Sequence, residues 1–98
     1  MKLTEKQQQF TRMTAALINH ATELGYGLTY GDAYAVSGHC RDSFHYSRLA
    51  VDFNLFIDGV YQESTEAHRP LGVYWQSIGG VWGGDFKRKD GNHYSLGE

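Results

Sequence analysis

The sequence predicts an α+β domain, a small antiparallel sheet with a long N-terminal helix and a second, shorter helix. Three observations carry this expectation. Apolar residues recur at spacings of three and four near the N-terminus, the signature of one helix face. They alternate with polar residues in the middle of the chain, the period of a strand with one buried side. Glycine-bearing turn signals then divide the second half into short segments.

The first helix is expected over residues 4–24, with Phe10, Met13, Leu17, Ile18, Ala21 and Leu24 on its inner face. Thr4 followed by Gln7 fits a capping box, and Gly25 and Gly27 supply the stop. Residues 27–34 read as a short strand and 35–43 as a polar loop. The strand 48–57 alternates Leu49, Val51, Phe53 and Leu55 against Ala50, Asp52 and Asn54. Asp58-Gly59 is a hairpin turn signal, so 60–62 should return antiparallel. Pro70 suits the first turn of a helix over 70–78, with Leu71, Tyr74, Trp75 and Ile78 inward. Gly79-Gly80 ends it, and strands over 81–86 and 92–96 follow, joined by a charged turn.

A chain of 98 residues with 41% hydrophobic and 14% aromatic residues is expected to form one domain with one core. The net charge of −2 contains no basic stripe, which argues against nucleic acid as the partner. The apolar runs are too short to span a membrane, and the polar N-terminus is not a secretory signal. Synthesis in the cytoplasm is therefore expected, and the single Cys40 fits that compartment. A monomer is expected.

Asp52 raises a chemical question, because a carboxylate placed mid-strand among apolar residues is costly unless paired or bound to a metal. Of five histidines, His20 is expected at a helix edge and His68 exposed before Pro70. His39 beside Cys40 falls short of the paired spacings of structural zinc sites. His45, Asp52 and His93 differ: two imidazoles and one carboxylate suit a catalytic zinc, which keeps a position open for water. The same set also suits iron. The alternative is that Asp52 meets backbone N–H groups or Arg48, with both histidines as ordinary loop-end residues. Asp90 favours the metal reading. It stands three residues before His93, where a carboxylate can take a proton from water and pass it to a leaving amine.

The segment SFHYSRLAVD resembles the S-x-H-x(6)-D motif of the zinc D-Ala-D-Ala dipeptidases and carboxypeptidases, and DGNH resembles their closing acid-x-x-His. LTEKQQQFTRMTAALINHATELGYGLTYGDAY, RLAVDFNLFIDGVY, TEAHRPLGVYWQSIGGVWGG and DGNHYSL look most like the small phage endolysins that act as L-alanyl-D-glutamate peptidases. The resemblance implies a hedgehog/D-Ala-D-Ala-peptidase-like fold, zinc held by His45, Asp52 and His93, Asp90 as general base, and support from Ser43. It implies a peptidoglycan stem peptide as substrate, reached after release from the cell. Relatives often carry Gly where Arg48 stands, and many an Arg where Ala35 stands, so either Arg41 or Arg48 is expected to assist the substrate carbonyl, with Tyr34 nearby, or the metal does this work alone. A non-catalytic module of the same fold that binds wall peptides or another protein is the second reading.

Overall fold

The computed structural model describes residues 2–31 and 47–97. Helix α1 (Leu3–Glu23) is followed by strand β1 (Tyr26–Tyr30), then β2 (Ala50–Ile57) and β3 (Val60–Gln62). Helix α2 (Thr65–Ser77), β4 (Val81–Trp82), a short 3-10 turn (Gly83–Asp85) and β5 (His93–Ser95) complete the described chain. The expected α+β class is present. The sheet runs β1-β2-β5-β4, with β3 also pairing with β2, and every pairing is antiparallel.

The inner face is the one the periodicity predicts. Phe10, Met13, Leu17 and Ala21 of α1 pack with Val51, Phe53 and Leu55 of β2 and with Leu71 and Trp75 of α2. Trp82 and Tyr94 close the core from β4 and β5. Burying each large apolar side chain contributes on the order of 1.5–3 kcal/mol, so this cluster is the main source of cohesion. Leu24 departs from the expectation: it caps α1 and stays largely exposed. His20 stacks flat on Tyr74, ring centroids 4.0 Å apart, and so ties α1 to α2.

Several boundaries differ from the sequence reading. α1 begins at Leu3, and its first turn is closed by Glu5 Oε1 accepting from the Lys2 N–H at 3.4 Å, not by a Thr4–Gln7 box. α2 starts five residues before Pro70. Ser64 is its N-cap and accepts from the Ala67 N–H at 3.1 Å. A serine cap outweighs the missing Pro70 N–H because the helix is fixed by its buried face, which includes His68, Leu71, Gly72 and Trp75. His68 is therefore buried, not exposed. The strand expected over 81–86 stops at Trp82, where the chain enters the 3-10 turn.

Candidate metal centre

Two antiparallel neighbours, Asp52 on β2 and His93 on β5, are directly opposite each other in the register. Strand alternation sends Val51 and Phe53 into the core, so Asp52 faces the other side of the sheet, where His93 meets it. His93 Nδ1 is 3.3 Å from Asp52 Oδ1, and both side chains are mostly shielded from solvent. Ligand atoms held at 2.0–2.2 Å by one tetrahedral ion are about 3.4 Å apart. The 3.3 Å spacing fits that edge better than the ~2.8 Å of a charge-assisted hydrogen bond.

Asp90 reaches the same point through a turn. The His93 N–H donates to the Asp90 carbonyl at 3.1 Å, which closes residues 90–93 into a β-turn. The Asp90 N–H donates to Gly83 O at 2.9 Å. A side chain at position 83 would collide with the Asp90 carbonyl and come within 2.8 Å of His93 Cβ. On the other flank, Gly31 N–H donates to Asp52 O at 2.7 Å, and Phe86 packs on the His93 ring with centroids 5.5 Å apart. Asp52, Asp90 and His93 each offer one ligand atom, all within 4.8 Å of one another. A carboxylate pair with an imidazole, clustered this tightly, is a donor set suited to a divalent ion such as zinc.

The structure thus brings together three of the residues singled out in the sequence. His45, Ser43, Arg41 and Tyr34 lie outside the described residues. Arg48 does not continue β2. It sits in the preceding turn with φ +60° and lines a cleft with Phe10, Thr14 and Ile18 of α1, so strand alternation does not place it beside Asp52.

Sequence reading missed the support beneath the turn. The buried Trp82 donates its indole Nε1–H to Gly91 O at 2.7 Å. Its signal was the segment GGVWGG, where two tryptophan-flanking glycines sit against indole rings: Gly80 against Trp75 and Gly84 against Trp82. Behind β5, the fully buried Tyr94 hydroxyl lies 2.8 Å from His68 Nδ1. Burial lowers the His68 imidazole to about 4 and raises the Tyr94 phenol, so both are neutral near pH 7.

The antiparallel sheet thus carries a clustered carboxylate and imidazole set, Asp52, Asp90 and His93, that could hold a divalent ion. A family model described as D-alanyl-D-alanine carboxypeptidase matches residues 37–96, more than half of the chain, and the chain belongs to that peptidase family. No curated protein matches it.

Proposed function

We propose that the chain is a zinc-dependent peptidase acting on the stem peptide of bacterial peptidoglycan, as an L-alanyl-D-glutamate endopeptidase or a D-Ala-D-Ala carboxypeptidase. Its setting is that of a phage or prophage endolysin. The observation that carries this reading is the convergence of Asp52, Asp90 and His93 on one point in a chain of that peptidase family. Asp52 and His93 are two ligands, and His45 is the third.

Zinc held there supplies a Lewis acid that polarises a carbonyl and lowers the pKa of water to about 7. Asp90 does the proton work. Its carboxylate takes a proton from the water oxygen as that oxygen bonds to the carbonyl carbon. It then gives the proton to the amine nitrogen as the C–N bond breaks, which leaves a carboxylic acid and a free amine. Asp90 is on an exposed turn, where substrate can reach it, whereas Asp52 and His93 are shielded, where a ligand pair excludes competing water.

Mass spectrometry of peptidoglycan fragments after digestion, with and without chelator, tests the reading. A new D-glutamate amine marks endopeptidase action, and loss of a terminal D-alanine marks carboxypeptidase action. Unchanged fragments from zinc-loaded protein would leave only a wall-binding module. His93→Ala should lose stoichiometric zinc, and full retention would remove His93 from the ligand set.

A further inference from the structure

We propose that Trp82 is a positioning residue for the metal centre, resting on the zinc reading above: its indole N–H sets the orientation of the one peptide that controls how Asp90 and His93 face each other. In the turn 90–93, Gly91 and Asn92 are the two central residues, and the peptide between them is the part that rotates between turn types. The carbonyl of that peptide is Gly91 O, the atom that Trp82 Nε1–H holds at 2.7 Å.

Local sequence leaves this rotation undecided. Glycine and asparagine are the residues that adopt left-handed backbone most readily, so types I, II and the primed turns are all open to Gly91-Asn92. In the structure neither residue has a positive φ, which excludes types II, I′ and II′. The two ends of the turn are fixed separately. Gly83 O accepts from the Asp90 N–H, and Asn92 O accepts from the Phe53 N–H at 2.9 Å. The central peptide is the remaining freedom, and the indole removes it.

The indole is itself held rigidly. It is fully buried, with Gly72 of α2 against its six-membered ring and Gly84 against the same ring's far edge. A methyl group at either glycine would overlap the ring. The Arg69 guanidinium lies 5.2 Å from the ring centroid. Trp82 therefore transmits the position of α2 to the turn that carries Asp90 and His93. Without the N–H, the Gly91 carbonyl is left buried without its donor and the peptide rotates to find another.

The test compares two tryptophans with the same chemistry. Trp75 is also fully buried, and its Nε1–H also donates to backbone, to Ser95 O at 2.9 Å, on the same strand as His93. Trp82→Phe and Trp75→Phe both remove a donor and some volume, and both should lower Tm. Only Trp82→Phe should weaken zinc binding, by ~10- to 100-fold, measured by competition with a chromophoric chelator. Equal zinc affinity in the two variants would overturn the positioning role. If Trp82→Phe fails to fold, wild-type NMR decides: zinc addition should shift the Trp82 indole N–H resonance and leave that of Trp75 in place. Two unmoved indole resonances, with zinc bound, would also overturn it. Failure of the wild-type protein to bind zinc would overturn the metal reading and this inference together, whereas normal wild-type binding with equal variants would overturn this inference alone.

Discussion

The chain contains Asp-Gly twice, and the two copies form different turns. Asp58-Gly59 joins β2 to β3 with both residues at positive φ, +53° and +77°. This is the two-residue hairpin geometry that matches strand twist, and an Asp-Gly pair favours it unaided. Nothing lies within 4 Å of where a Gly59 side chain would be. Asp90-Gly91 instead occupies the first two positions of its turn, at φ values that any residue adopts. Gly91 is buried, and a Cβ there would come within 2.7 Å of Thr65 Cα. The first turn is an answer given by local chemistry. The second is imposed by α2, Trp82 and the strand beside it. The same dipeptide serves connection in one place and the candidate metal centre in the other because only the second is gripped from outside.

Asparagine separates the two most widely, since it replaces aspartate as a turn former without loss. Asp58→Asn should leave hydrolysis and stability unchanged. Asp90→Asn removes the proton acceptor and should cost about 100- to 10,000-fold in hydrolysis while zinc stays bound. Zinc content and peptide turnover measured on both variants check this. Unchanged turnover in Asp90→Asn would strip Asp90 of its role, and lost zinc would make it a ligand.

Acid should also tell the regions apart. His68 titrates at about 4 in the folded chain against 6.5 as its ordinary value, so the unfolded chain binds the proton first. Stability therefore falls as pH drops from about 6.5 to about 4 and is flat below for this group. The loss is on the order of 3 kcal/mol. Hydrogen exchange should show β5 amides opening as pH falls through this window, after correction for intrinsic rates, while the β2–β3 hairpin follows only the global loss. A His68→Gln variant should lose this part of the pH dependence of Tm. An identical Tm profile in the variant would sink the assignment.

Alanine at the two glycines gives the next largest difference. Gly91→Ala forces a methyl group against the α2 backbone and should cost about 1–3 kcal/mol, with weakened zinc binding as the turn shifts. Gly59→Ala meets no obstacle and bears only left-handed strain, about 1 kcal/mol, with zinc affinity unchanged. Thermal unfolding and zinc titration on both variants measure the pair. Equal zinc affinities would show that the second turn tolerates displacement.

Chelation is the smallest expected effect on the hairpin and the clearest on the centre. Metal binding to the folded state adds stability by mass action, so excess chelator should lower the Tm of zinc-loaded protein. An unchanged Tm would count against a metal at Asp52 and His93.

Much of this was legible in the sequence, for identifiable reasons. The inner faces of α1 and β2 follow from periods of 3.6 and 2, which depend only on which residues avoid water. The β2–β3 hairpin follows from the backbone preference of Asp58-Gly59. Asp52 declared itself as a carboxylate out of place, and Asp90 and His93 by their spacing. What the sequence could not supply is which groups meet across the fold. The start of α2 at Thr65 depended on a serine cap and a buried face outweighing the proline signal. The burial of His68 depended on a phenol 26 positions away lying 2.8 Å from its ring. The pairing of Asp52 with His93 is a register, and register is fixed by the packing of whole strands, not by either residue. The turn that carries Asp90 is set by an indole from another strand, because glycine and asparagine have no strong preference of their own. Local chemistry determined the elements and named the reactive side chains; only the tertiary structure decided their geometry, since contacts between distant segments outweigh backbone preferences that differ by about 1 kcal/mol or less.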